Sequence, residues 1–578
     1  MGSSFLTELS SAWSAVYHCA SRSATFQHAT RKARFHRRDK RAKPDVLGRN
    51  CHTRTPSLGA DPLDGRHPLS GGAMIQAEVA LAYHFTRRHF FFGSLLAGAV
   101  PAAGFGSVPS LRQLGYKSPN EKLNIASIGA GGKAYSDIKG CSAENIVALC
   151  DVDDQRAARK FKEYPSVPKY KDFRKMLDEQ ANNIDAVIVA IPDFMHATAA
   201  MWCMERGKHV YVQKPLTRTI WEARQLLEAA GKYKVATQMG NQGYSNEGTR
   251  QAAEMIWAGE IGQVTEVHAW TDRPIWPQGL TSIPPPEPVP DTLDWDLWLG
   301  IADKRPYTTG GPDYKSPLEG HFYQPGNWRG FFDFGCGALG DMACHILGAP
   351  NLALQLGAPA SVECIQKEGP SDFMFPAKSV IRYDFPARGS MPPVKLFWHD
   401  GLKETPHIPG VPEGELLGDL PEKPSARRGQ GPPPFTGFIG DVFDFEKFQA
   451  TKNAPDVEVP TPDGSLFIGD KGMITTGTYG EETRLVPVEK MRDYQFPQPL
   501  LTRSPGHYHD WIRACKGGDP ACSNFNVAVP FVEWMLLGVI ALRVEGKLEW
   551  DAPKMRFTNN AEANKYLKPT FRKGWSLT

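Results

Sequence analysis

Asp341 and His345 stand four residues apart in Gly335-Cys-Gly-Ala-Leu-Gly-Asp341-Met-Ala-Cys-His345, a stretch predicted to be helical. On a helix that spacing places both side chains on one face, within reach of one small volume. A carboxylate beside an imidazole can orient it and raise its basicity, which makes His345 a candidate general base. The same two residues would also serve as a surface pair or as two metal ligands. Lys214 follows the apolar run His209-Val-Tyr-Val-Gln213 and precedes Pro215, which fixes the turn. An ammonium held there can hydrogen-bond a reacting oxygen and stabilise its developing charge. A solvated turn lysine is the plainer alternative. Together the three match what alcohol oxidation requires, because a hydroxyl proton must leave as a hydride departs from the carbinol carbon.

A hydride acceptor is implied by Leu123 to Asp151. Leu123 to Ile128 reads as a buried strand, and Gly129, Gly131 and Ala134 form a G-x-G-x-x-A turn into a helix. Gly129 permits the tight turn, Gly131 leaves room for a pyrophosphate, and Ala134 lets the helix pack closely. The helix N-terminus offers N–H groups to phosphate oxygens. Asp151 closes a second apolar strand about 20 residues on, where a dinucleotide ribose would lie, and would repel a 2′-phosphate. NAD is therefore expected over NADP. The expected cofactor-binding set is Gly129, Ala130, Gly131, Gly132, Lys133, Asp151, Ile191, Pro192, His196, Gln213, Lys214 and Asn241. His196 would either cap the helix it begins or contact the nicotinamide half. No metal site is expected.

The elements that must hold these residues fall into two styles. From 121 to 245 strands and helices alternate, and Ile184-Asp-Ala-Val-Ile-Val-Ala-Ile-Pro192 is the continuous apolar run of a strand covered on both faces. This predicts a doubly wound parallel sheet, a Rossmann domain. From 246 to 578 the runs alternate polar and apolar, as in Gln263-Val-Thr-Glu-Val-His-Ala-Trp-Thr271, Ser361–Gln366, Ser379–Asp384 and Val394–His399. They predict an α+β domain with a large, mostly antiparallel sheet. Helices are expected over Pro505–Lys516 and Val529–Val544, returning to the second domain or the cleft between the two. Residues 404–435, rich in Gly and Pro, are too long for a connector and read as an insertion, a lid or an oligomer arm. Trp276, Trp295, Trp298 and Trp328 are placed in loops near the cleft, where tryptophans stack on sugars or fill cores. Arg329 is a candidate carboxylate binder.

With these motifs in order, the stretch from residue 121 to the C-terminus resembles the Gfo/Idh/MocA oxidoreductases. The resemblance is carried by the glycine loop, Ile191-Pro192-Asp193-Phe-Met-His196, Gln213-Lys214-Pro215 and Gly335 to His345. It implies a Rossmann domain followed by an open-faced sheet domain, sugar, inositol or related substrates, and Lys214, Asp341 and His345 around the substrate hydroxyl. The open sheet face of that family usually pairs with another subunit, so a homodimer or homotetramer is expected. One position departs: the family usually has Glu-Lys-Pro where this chain has Gln213-Lys214-Pro215. That removes a negative charge beside Lys214 and would favour its neutral form.

The rest of the 578 residues concerns location more than chemistry. A net charge of +3 implies no nucleic-acid partner. Residues 1–73 hold 12 Lys/Arg against 5 Asp/Glu without apolar periodicity, and read as disordered leader sequence ahead of the true start. Met74 opens a segment in which Thr86-Arg87-Arg88-His-Phe-Phe-Phe92 precedes a short, mildly apolar run to Gly106. This resembles a twin-arginine export signal, with a linker to 120; the run is too short for a permanent membrane anchor. The expectation is a periplasmic enzyme carrying tightly bound NAD, since free NAD is scarce outside the cytoplasm. Cys141, Cys150, Cys203 and Cys344 lie in apolar contexts and read as core residues. Two functions fit: a sugar, glycoside or polyol dehydrogenase, and a glycoside hydrolase that oxidises and re-reduces its sugar around an elimination. A non-catalytic sugar-binding protein is a third class.

Overall fold

Apolar runs alternating with amphipathic ones build β1 (Asn124–Ile128), α1 (Gly132–Gly140), β2 (Asn145–Cys150), α2 (Asp154–Glu163), β3 (Lys169–Tyr170) and α3 (Phe173–Glu179). They continue through β4 (Ala186–Val189), α4 (Asp193–Glu205), β5 (His209–Val212), α5 (Ile220–Tyr233) and β6 (Thr237–Met239). The structure is a computed structural model that describes residues 121–311, 314, 321–420, 445 and 463–578. The leader and export-signal readings, and the 421–435 part of the insertion, lie outside the described residues. Every strand pair in this half is parallel, in the order β3-β2-β1-β4-β5-β6. Val187 and Val189 face one core while Ile125, Ile188 and Tyr211 face another, which is why the runs are apolar throughout. Parallel strands end on the same side, so Gly129, Ile191, Gln213 and Gly240 all follow strand ends along one edge of the sheet. The strand order reverses between β1 and β4, and the crevice outside that point is where such folds bind ligands.

The second half contains α6 (Glu247–Ala258), β7 (Val264–Trp270), α7 (Trp295–Leu299), α8 (Gly337–Ile346), α9 (Gly348–Ala353), β8 (Ser361–Glu368), β9 (Lys378–Phe385) and β10 (Val394–Asp400). It ends with β11 (Gly464–Gly469), β12 (Met473–Thr476), β13 (Arg484–Val486), α10 (His507–Cys515), α11 (Phe525–Ala541), β14 (Leu548–Asp551) and β15 (Arg556–Phe557). Nine strands pair in the order β13-β12-β11-β7-β10-β9-β8-β14-β15, antiparallel except for β7 beside β10. The expected fold class, a Rossmann domain plus an α+β domain with a mostly antiparallel sheet, is the observed one.

Three features go beyond the sequence pattern. α10 docks on the nucleotide domain: Tyr508, Trp511, Ile512 and Cys515 pack with Leu123, Ile125, Leu149 and Tyr211. The 121–245 segment is thus completed by a helix from the far end of the chain. α11 is buried nearly all round because it lies against α5, α8 and the inner face of the second sheet, where Tyr383 donates to the Met535 carbonyl. The outer sheet face is not a uniform apolar surface. Ile408 and Leu417, from the described start of the insertion, cover Trp270 and Leu466, while farther along His268 stacks on Phe397 and Arg382 pairs with Glu363.

Candidate active site

The glycine loop is shaped by close approach. Gly129 has a φ of +96°, and a Cβ on it would stand 2.2 Å from the Ala190 carbonyl oxygen. Gly131 has a different cause from the one expected: a Cβ there would lie 2.8 Å from the Arg156 carbonyl oxygen, so its bare Cα first admits the start of α2. Ala130 and Ala134 are fully buried, holding α1 close to the sheet. No side chain caps α1, so the N–H groups of its first turn, from Gly132 and Lys133 onward, keep donor capacity for an anion. Asp151 folds back onto the loop, its Oδ2 accepting from the N–H groups of Ala130 (2.9 Å) and Gly131 (3.2 Å). It braces the loop and has its remaining lone pairs for a ribose. Burial raises its pKa above the ordinary carboxylate value.

Lys214 leaves β5 and meets α8. Its Nζ donates to Asp341 Oδ1 at 2.5 Å and to the Asp341 carbonyl at 2.7 Å. Arg329, from a 3₁₀ turn at Asn327–Gly330, brings Nε within 2.8 Å of the same Oδ1 and lies over the Trp328 ring. Burial opposes the Asp341 charge, but Lys214, Arg329 and Arg273 outweigh it and hold the carboxyl well below its ordinary range. Asp341 and His345 do share one helix face, yet no hydrogen bond joins them; Asp341 anchors Lys214 and Arg329 instead. The expected loss of an anion beside Lys214 at position 213 is thereby corrected, because Asp341 supplies one from 127 residues away in sequence. Arg329, expected to await a substrate carboxylate, already spends Nε on Asp341.

His345 is 5% exposed, and its buried Nδ1 has no hydrogen-bond partner. Burial, then the Lys214 charge, depress its pKa well below 6.5, so the imidazole is neutral near pH 7. The ring of Tyr479 meets it nearly edge-on at 4.7 Å and 61°. Asp193, the first residue of α4, is also in this group: it is 4% exposed, and its pKa is raised to about 7, mainly by burial, with Arg329 and Lys214 opposing.

Other expected residues have structural jobs. His196 is fully buried inside α4, and its Nε2 donates to the Ile191 carbonyl at 2.7 Å, tying down the turn that Pro192 N-caps. Burial lowers its pKa to about 4. Neither a helix-capping bond nor an open ring face is seen. Gln213 donates to Asp137 Oδ2 at 2.8 Å, and Asp137 also pairs with Lys133 at 3.1 Å and accepts from Tyr508 at 2.8 Å. The carboxylate missing from 213 thus has a buried counterpart on α1. Trp295 and Trp298 lie in α7 and stack on each other at 4.6 Å within an aromatic core, not in cleft loops. Cys141, Cys150, Cys203 and Cys344 are buried and free.

Two family models match this chain. An oxidoreductase-family NAD-binding Rossmann fold spans residues 123–241, and the same family's C-terminal alpha/beta domain spans residues 260–364. Residues 123–364 thus carry both domains of the Gfo/Idh/MocA oxidoreductase family. The chain is 29% identical over 185 residues to a glycosyl hydrolase family 109 protein of Solibacter usitatus, covering 29% of this chain and 41% of that protein. It is 30% identical over 129 residues to an inositol 2-dehydrogenase of Salmonella typhimurium, covering 22% of this chain and 38% of that one. The chain thus aligns with less than half the length of these relatives. Among solved structures, the WlbA dehydrogenase from Bordetella pertussis in complex with NADH and UDP-GlcNAcA covers 75% of this chain and 99% of its own, at 14% identity and a TM-score of 0.47.

The residues along this sheet edge fit a dinucleotide. Asn241 accepts from Ser523 through Oδ1, while its buried Nδ2 is an unpartnered donor at the end of β6. With the uncapped first turn of α1 and the Asp151 lone pairs, it supplies donors and acceptors along the sheet edge. Asp193, Asp137 and Tyr479 were missed by sequence reasoning. Asp193 stood in the quoted Ile191–His196 motif and Asp137 on the α1 face turned to the sheet. Tyr479 had no local signal.

Proposed function

We propose that this protein is an NAD-dependent oxidoreductase acting on a hydroxyl or keto group of a sugar, glycoside or polyol. The observation that carries the reading is the Lys214 ammonium: Asp341 takes two of its donors, and one remains for a reacting oxygen beside His345. Lys214 hydrogen-bonds that oxygen and stabilises the negative charge it gains as its proton leaves, before that charge collapses into the carbonyl with departure of the hydride. His345, neutral because it is buried near a cation, accepts the hydroxyl proton; in the reductive direction it returns it. Asp341 stays ionised and keeps Lys214 aimed. Gly129–Lys133, Asp151 and Asn241 would hold NAD, whose nicotinamide supplies the hydride acceptor when bound. Asp151 supports NAD over NADP. In this reading the enzyme is exported by the twin-arginine segment around Arg87-Arg88, keeps its NAD bound through turnover, and pairs through its outer sheet face.

The test is to record absorbance and fluorescence of the purified protein for bound nicotinamide, then add free sugars, polyols and aryl glycosides. Reduced nicotinamide accumulating with a sugar or polyol supports the reading; no signal with any of them refutes it. The relative named as a glycosyl hydrolase supports a second reading, in which the sugar is oxidised only transiently. Aglycone release without net change in the cofactor would select it. Mass spectrometry of the native N-terminus tests export, and an intact Met1 or Met74 refutes it.

A further inference from the structure

His345 faces a problem of orientation. It makes no hydrogen bond to Asp341, and its buried Nδ1 is unpartnered, so packing alone must hold the ring at the angle that presents its other nitrogen. We propose that Tyr479, on the loop between β12 and β13, is the positioning residue for His345, and that Leu416–Leu420 of the insertion clamps that loop in place. The functional consequence rests on the reading of His345 as the proton-transfer group.

Tyr479 meets the imidazole at a centroid distance of 4.7 Å, in the tilted edge geometry that aromatic pairs prefer. Its backbone is pinned on both sides. The carbonyl accepts from Asn246 Nδ2 at 3.0 Å and from Thr249 Oγ1 at 3.4 Å, and the N–H donates to Glu481 Oε2 at 2.5 Å. The loop lies directly on the start of α6: a Cβ on Gly248 would stand 1.9 Å from the Gly480 carbonyl oxygen. Any side chain there would lift the loop, and Tyr479 with it.

The insertion completes the clamp. Asp419 accepts from both the N–H (2.7 Å) and the hydroxyl (2.5 Å) of Thr478, the residue next to Tyr479. Leu420 N–H donates to Glu482 at 2.6 Å, and Gly418 N–H to Thr475 at 2.9 Å. Arg484, 1% exposed, donates to the carbonyls of Leu416 (2.7 Å) and Gly418 (3.0 Å). The arrangement places Asp419 close to Glu481, whose pKa is pushed up to about 8 by burial and then by the Asp419 charge. Two neighbouring, half-buried carboxyl groups oppose folding electrostatically. Their gain is a fixed Tyr479. The start of the 404–435 insertion, unassigned by its sequence, thereby becomes a brace for the site wall.

The experiment uses the full chain as purified, labelled with ¹³C at histidine Cε1, with His345→Gln identifying the His345 resonance. Tyr479→Leu and Asp419→Ala should each shift or broaden that resonance, and Tyr479→Phe, which keeps the ring, should restore it. In turnover, Tyr479→Leu and Asp419→Ala should lower kcat about 10–100-fold with KM and bound nicotinamide unchanged, the scale of a small misplacement of a reacting group. An unmoved His345 resonance in Tyr479→Leu overturns the positioning role. A shift in Tyr479→Leu but not in Asp419→Ala overturns the clamp. Should Asp419→Ala fail to fold, Asp419→Asn is compared by hydrogen exchange at the Thr478 and Tyr479 amides: faster exchange supports the clamp and unchanged exchange overturns it. A moved resonance with unchanged kcat leaves the positioning intact and instead removes His345 from proton transfer.

Discussion

Asp341→Asn removes one charge and keeps the side-chain shape, which isolates the anion that joins the two domains. In the native protein Oδ1 of Asp341 takes Lys214 at 2.5 Å and Arg329 at 2.8 Å, with side chains 13% and 26% exposed. Removing one partner of a buried ion pair costs about 3–5 kcal/mol, because the remaining charge is left uncompensated. Here two cations are left, but both keep some contact with water, which argues for the low end, about 3 kcal/mol. For domains of 150–250 residues each kcal/mol lowers Tm by about 2–4 °C, so the expected fall is about 6–12 °C. Asp178→Asn is the control: Asp178 is 64% exposed, pairs with Arg206 on the surface, and should cost about 0–1 kcal/mol. The pH dependence has a definite sign. Asp341 has a folded pKa depressed below its unfolded value, so its contribution is complete above about pH 4 and is lost as pH falls further, through the folded pKa. Differential scanning calorimetry at pH 7 and at stepwise lower pH would measure both. A Tm change at pH 7 no larger than that of Asp178→Asn would refute the account of Asp341 as the anchor of Lys214.

Further outcomes follow from the same geometry. Lys214→Met should lower kcat about 10²–10³-fold while bound nicotinamide is retained, as expected for loss of one donor to developing charge; steady-state kinetics and absorbance of the purified variant check this. Lys214→Met should also raise the His345 pKa, since the Lys214 charge is the second cause depressing it, and a ¹³C titration of the ring would show a fall if the assignment is wrong. Because that pKa lies well below 6.5, turnover should show no limb from His345 between about pH 6 and 8. Asp151→Ala should weaken NAD and narrow its advantage over NADP, with the nearby Arg156 left to meet a 2′-phosphate; it also removes the bonds to Ala130 and Gly131, so calorimetric titration with both cofactors should accompany a Tm measurement.

The nucleotide half was legible because its signals are short-range. Within 29 residues, Leu123 to Asp151 carry a strand, a turn that only glycine adopts, a helix and an acid, each dictated by local sterics and burial. The alternating runs of β7, β8, β9 and β10 announced a sheet with unlike faces for the same reason. Helical spacing put Asp341 and His345 on one face, but spacing cannot say what else approaches that face. Lys214 and Arg329 do, and they claim Asp341 by charge, leaving His345 to the packing of Tyr479. In the same way α10 leaves the domain that precedes it in sequence and covers the Rossmann sheet, since Tyr508 and Trp511 find their apolar partners there. Sequence alone determined the elements, the dinucleotide loop and the candidate chemistry, which depend on neighbours a few residues apart. Which charges meet, which ring is held and which face is covered was decided only by tertiary structure, because those energies arise between groups brought together by the fold.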